Sequence, residues 1–265
     1  MVSGGAGGKL KRQATTMKHD DIKTVVADLK KASYEQKEKL THLIDVLAIH
    51  ADTNPASLVS AGAIKPLVQL VTSGNDGSQV HAASALATIA ASQYKYQDKI
   101  IEEGAVVPLV ALLHMGSNLA NCYAAAAIAS LSDQHKHRSA IIKAGACHPL
   151  ARLVRDDVTV DTQLHASDAI ADLSSQNGEA QKIFYAAGVV PLLLAILHSG
   201  KANDAAARAI AKLLSPLDSE VSSTCTRRRG EHVHACASQS HSHSVMAPLN
   251  GSSRHRWTRL PTPTS

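Results

Sequence analysis

The chain is 265 residues long, 45% apolar and 3% aromatic, with a net charge of +5. That charge is unevenly spread: residues 1–41 carry +4, 42–216 carry −2 and 217–265 carry +3. The long middle stretch therefore lacks the positive stripe of a nucleic-acid binder, and the sole tryptophan, Trp257, falls outside it. With four cysteines, no signal peptide and no apolar run near about 18 residues, neither a disulfide-built secreted fold nor a membrane span is expected; the location expected is the cytoplasm, extending to the nucleus.

Residues 1–19 carry Gly4-Gly5-Ala6-Gly7-Gly8-Lys9-Leu10-Lys11-Arg12 without apolar periodicity and read as a flexible basic arm. The glycine run is not a phosphate loop, because no strand precedes it and Leu10 stands where a serine or threonine would meet magnesium. Val2 follows the first methionine where N-myristoylation requires glycine. Residues 20–53 read as a degenerate cap. Ile22-Lys23-Thr24-Val25-Val26 lies 42 residues before Ile64-Lys65-Pro66-Leu67-Val68, and Leu43 to Ala48 lies 42 before Ala85 to Ala90. The cap lacks a first helix and its glycine and proline, and Lys30, Lys31, Glu35, Lys37, Glu38 and Lys39 give it the polar face an end unit needs.

Four units follow, at about 54–94, 95–135, 136–177 and 178–216. Each is marked by a glycine and a proline: Gly62 to Pro66, Gly104 to Pro108, Gly145 to Pro149 and Gly188 to Pro191. The glycines are 42, 41 and 43 residues apart, the period of a helical solenoid. A short amphipathic helix precedes each glycine, which ends it in the left-handed conformation. The proline then sits in the first turn of a second helix, where its missing N–H costs nothing. Leu67, Val68, Leu70 and Val71, and Leu109, Val110, Leu112 and Leu113, continue that helix at helical spacing. Turn residues such as Ser73-Gly74-Asn75-Asp76-Gly77 and Gly116-Ser117-Asn118 close it. A third, alanine-rich helix completes each unit, as in Ala82 to Ile89, Ala124 to Leu131, Ala166 to Leu173 and Ala206 to Leu213. Its small residues let neighbouring axes approach closely. After the last unit, Ile210, Leu213 and Leu214 have no further unit to cover them, so weak end-to-end self-association is expected.

Residues 217–265 change to Ser, Thr, His, Arg and Pro and read as a disordered tail. Cys225, His232, His234, Cys236, His241 and His243 are soft-metal ligands by chemistry, but their spacing suits no structural zinc site; neither metal nor cofactor is expected. The histidines and serines of the units fall in no nucleophile or metalloprotease motif, so no catalysis is expected.

The Gly-Ala-x-x-Pro-Leu-Val corner followed by Ala-Ala-x-Ala-Leu-x-x-Leu, recurring in phase over residues 54–215, resembles the armadillo family. HEAT repeats share the period but lack the regular corner. The resemblance implies an all-α, right-handed superhelix whose third helices line a concave groove that holds a partner segment. In the family's peptide-binding members, a Trp and an Asn one turn apart on that helix sandwich lysine stems and bond the peptide backbone. Here the Trp positions hold Ser84, Ala126, Asp168 and Arg208, and the Asn positions hold Thr88, Ser130, Asp172 and Lys212. The missing ladders disfavour a nuclear-import receptor. The row before them holds His81, Tyr123, His165 and Ala205.

The candidate partner-binding residues are therefore His81, Ser84, Thr88, Tyr123, Ser130, His165, Asp168, Asp172, Arg208 and Lys212. The bland alternative is an ordinary solvated helix surface, with bridges between units worth under about 1 kcal/mol. Resemblance to vacuolar and junctional armadillo proteins implies a non-enzymatic scaffold or adaptor. Resemblance to the arrays of plant U-box proteins implies instead the substrate-recognition part of a ubiquitin ligase, which a copurifying ligase would reveal.

Overall fold

The computed structural model describes residues 19–49, 54–155, 157–200 and 202–215. The arm, except for its last residue, and the tail with its cysteines and histidines lie outside the described residues. Every regular element among the described residues is a helix. The cap is α1 (His19–Lys31) and α2 (Tyr34–Ile49). The first full unit is α3 (Asn54–Ser60), α4 (Ile64–Ser73) and α5 (Asp76–Ser92), and the second is α6 (Tyr94–Glu102), α7 (Val106–Met115) and α8 (Asn118–Ser132). The third is α9 (His135–Lys143), α10 (Cys147–Arg152) and α11 (Val160–Ser174); the fourth is α12 (Gly178–Ala186), α13 (Val189–Ser199) and α14 (Asn203–Leu214).

The corner between first and second helices repeats its left-handed glycine in all four units. Gly62, Gly104, Gly145 and Gly188 all have positive φ, from +69° to +86°. In the first unit the Gly62 N–H donates to Val59 O at 3.1 Å and the Ala63 N–H to Leu58 O at 3.0 Å. Gly104 and Ala105 make the same pair of bonds to Ile101 O and Ile100 O. These two bonds satisfy carbonyls that a helix end leaves without partners and turn the chain sharply.

Position relative to the glycine decides burial. Four residues before it, Leu58, Ile100, Ile141 and Phe184 are fully buried; five residues after it, so are Leu67, Leu109, Leu150 and Leu193. Each such side chain contributes about 1.5–3 kcal/mol relative to exposure. In the fourth unit the proline comes one residue early, so pairing Leu192 with Leu67, Leu109 and Leu150 by its proline is off by one. Leu193 takes the core place, while Leu192 is only partly buried and Pro191 is exposed. The start of the helix follows the proline, which is the third helical residue in all four units, whereas the buried leucine keeps its distance from the glycine.

The turn after α4 is shorter than its composition suggested. Asp76 and Gly77 already belong to α5, because Asn75 is the N-cap and its side chain accepts from the Ser78 N–H at 2.9 Å. Ser117, Thr159 and Asn177 cap α8, α11 and α12 in the same way. At the other end, Gln97, Arg138 and Gln181, each seven residues before a corner glycine, reach the last turn of the preceding third helix. They donate to Ala90 O at 3.1 Å, Ser132 O at 2.7 Å and Ser174 O at 3.1 Å. The links between units are thus both apolar and hydrogen-bonded.

The third helices stack side by side in the order α2, α5, α8, α11, α14, the most closely packed row of the fold. Ala82, Ala124, Ala166 and Ala206 are all fully buried along it. Leu86, Ile128 and Ile170 are buried too, but their counterpart Ile210 is only partly so, and Leu214 is 40% exposed. No described helix packs on the far side of α14.

Candidate functional site: the third-helix face

The three rows read from the sequence do share one face of the stacked third helices, but they differ in what they leave accessible. In the first row, His81 Nδ1 lies 2.9 Å from Asp45 Oδ2, and its ring stacks on His42 with centroids 4.4 Å apart. Asp45 is buried. Tyr123 is partly buried, and burial raises the pKa of its hydroxyl, with the Asp45 charge adding to the shift. Burial lowers the pKa of His165, partly offset by Asp168 and Asp161. Ala205 is buried.

In the second row Ser84 is 2% exposed. The expectation that it meets a partner is corrected: the closely packed α5 and α8 leave it almost no accessible surface. Ala126 is partly buried. Further along the row, Arg208 Nη2 sits 2.5 Å from Asp168 Oδ1. The arginine side chain is 59% exposed and the aspartate 23%.

In the third row the Thr88 hydroxyl donates to Ser84 O and the Ser130 hydroxyl to Ala126 O, each at 3.0 Å. Both hydroxyl hydrogens are consumed within their own helices, so neither residue can donate to a partner backbone as an asparagine amide would. Asp172 is partly buried and, among the described residues, belongs to no ion pair; Lys212 is exposed. Burial raises the pKa of Asp172, opposed by Arg138 and Arg208. Burial likewise raises that of Asp168, opposed by Arg208 and His165.

The face thus has two chemically different halves. Over α5 and α8 it is neutral, with small residues between His81 and Tyr123. Over α11 and α14 it holds two carboxylates one turn apart that are poorly solvated, beside exposed cationic side chains. An open depression of about 220 Å³ lies between these two helices, lined by Leu164, Asp168, Ala202, Ala205 and Arg208 among others. Among the described residues, no group of three or more His, Cys, Asp or Glu side chains is placed to hold a metal ion. Buried Cys122 and Cys147 are free thiols, and burial pushes Cys147 to about 11, far from a reactive thiolate.

Three further residues belong to this neighbourhood. His42 and Asp45 lie on the cap one period before Ser84 and Ala87, so counting back 42 residues finds them in the sequence. Arg138 carried no such signal, because it stands on a first helix and reaches the face through space.

A model of the Armadillo/beta-catenin-like repeat matches residues 52–91, which span nearly all of the first full unit. No curated protein sequence matches the chain. Among solved structures, a designed armadillo repeat protein in complex with the peptide (KR)4 is 28% identical with a TM-score of 0.66, covering 77% of this chain and 90% of that one. Computationally designed armadillo repeat proteins for modular peptide recognition match with 28% identity and a TM-score of 0.68, over 77% and 90% of the two chains. An engineered protein matches with 26% identity and a TM-score of 0.68, over 78% and 88%. The fold defined by these corners and stacked third helices is a helical repeat solenoid. Over the described residues the chain is similar to armadillo repeat proteins, and one of its units matches that family's repeat model.

Proposed function

We propose that the chain is a non-enzymatic adaptor that holds an extended partner segment along its third-helix face, with basic side chains of that segment meeting Asp168 and Asp172. The observation that carries this reading is the pair of half-buried carboxylates one turn apart on α11, whose burial raises the free energy of their charged forms. A guanidinium or ammonium group delivered by a partner offsets that cost. The similar designed protein in complex with (KR)4 supports a basic segment as the occupant. The neutral half over α5 and α8 fits side chains that pack without charge, beside His81 and Tyr123.

The location proposed is the reducing cytoplasm, in keeping with two buried free thiols. No single described helix is long and apolar enough to cross a membrane. The test is fluorescence anisotropy of labelled (KR)4 with the full chain. Saturable binding is expected, weakened by a few kcal/mol in an Asp168→Lys/Asp172→Lys double variant through lost pairing and new repulsion. Equal affinity in both proteins would return these aspartates to the ordinary solvated surface.

A further inference from the structure

We infer that Arg208 sets the selectivity of this face as an internal competitor: its guanidinium holds the Asp168 carboxylate as a partner's arginine would, and a basic segment must displace it to bind. The inference rests on the basic-segment reading above and concerns how that site is regulated.

The geometry is specific. Asp168 and Arg208 are not neighbours along one helix; they are 40 residues apart, on α11 and α14, at matching positions of consecutive units. The bridge therefore spans the two helices where a bound segment would cross from one unit to the next. Its arginine is mostly exposed and its aspartate mostly covered, so the cation lies on the outside of the pair, on the side from which a partner approaches. Asp172, one turn further along α11, has no ion pair of its own among the described residues, and the nearby cations that act on it are Arg138 and Arg208. Arg138 is tied up by hydrogen bonds to the backbone oxygens of Ser132, Asp133 and Ser175. Arg208 is thus the cation free to swing away. Exchanging one guanidinium for another conserves the pairing at Asp168, so displacement is nearly balanced and the affinity for any basic segment is held down by the competition.

The experiment compares (KR)4 binding to the full chain and to Arg208→Gln, Arg208→Lys and Arg208→Gln/Asp168→Asn. Arg208→Gln is expected to bind roughly two- to fivefold more tightly, the scale of one exposed ion pair. Arg208→Lys should stay near the parent, and the double variant should lose the gain. Because Arg208 is mostly exposed, all three should keep the parent's helical circular dichroism; Arg208→Lys and the double variant keep the comparison decisive if Arg208→Gln does not. Equal binding by parent and Arg208→Gln overturns the competitor role alone. No binding by either one overturns the basic-segment reading together with it. Tight binding of an acidic peptide that Arg208→Gln abolishes overturns the inference in favour of Arg208 as a direct anion contact.

Discussion

Asp172 shows how a single side chain trades stability against binding. Burial raises its folded pKa above the unfolded value of about 3.9. A raised carboxylate binds its proton more tightly when folded, so its contribution to stability is full below the unfolded pKa and is lost as pH rises through the folded one. At pH 7 the ionised group therefore works against the fold. Asp172→Asn is expected to raise the melting temperature at pH 7 by a gain of under about 1 kcal/mol, since a half-buried site is still screened, and to give no gain near pH 3.5. Arg138 loses no hydrogen bond in the exchange, because its guanidinium already donates to the backbone oxygens of Ser132, Asp133 and Ser175. Thermal unfolding at the two pH values checks the sign; a loss of stability at pH 7 would mean that pairing, not burial, dominates at this residue.

The corner is the element on which the repeat depends, and its energetics separate into backbone and packing. At Gly104, φ is +75° and an added Cβ would have no atom within 4 Å outside its chain neighbours. Gly104→Ala should therefore cost about 1–2 kcal/mol from the left-handed conformation alone, with no steric part. Chemical denaturation that shows no change in midpoint would place the corner's stability in the hydrogen bonds of Ala105 and Gly104 instead. The carbonyl caps act between elements: Gln97 and Gln181 satisfy the ends of α5 and α11 from the following unit, so these two third helices are finished by their neighbours. Gln181 also donates to Lys212 O at 2.9 Å, extending the link to the fourth unit's third helix.

For the whole molecule, a stack of units has two unlike ends. The cap presents Asp20, Asp21, Lys23, Asp28, Lys30 and Lys31, all exposed, on or beside α1. At α14 the buried row is interrupted: Ile210 and Leu214 keep accessible apolar surface where the other units are covered. Sedimentation of the full chain is expected to show weak, concentration-dependent association that Leu214→Glu reduces. A monomer at all concentrations for the parent chain would show that this end is ordinary exposed surface.

The period, the glycine corners and the alanine-rich third helices were legible in the sequence because each is a local requirement of the backbone. Left-handed φ selects glycine, a first-turn position tolerates proline, and close axes need small side chains. The same period assigned three rows of residues to one face of the third helices. What tertiary structure decided was anything that depends on a neighbour one unit away. Leu193 rather than Leu192 fills the core because packing counts from the glycine. Ser84 is hidden because α5 and α8 lie close, and Thr88 and Ser130 spend their hydroxyl hydrogens on their own helices. Arg208 closes on Asp168 across 40 residues of chain. Such contacts depend on distances between helices, and those are set by the whole stack rather than by any one repeat.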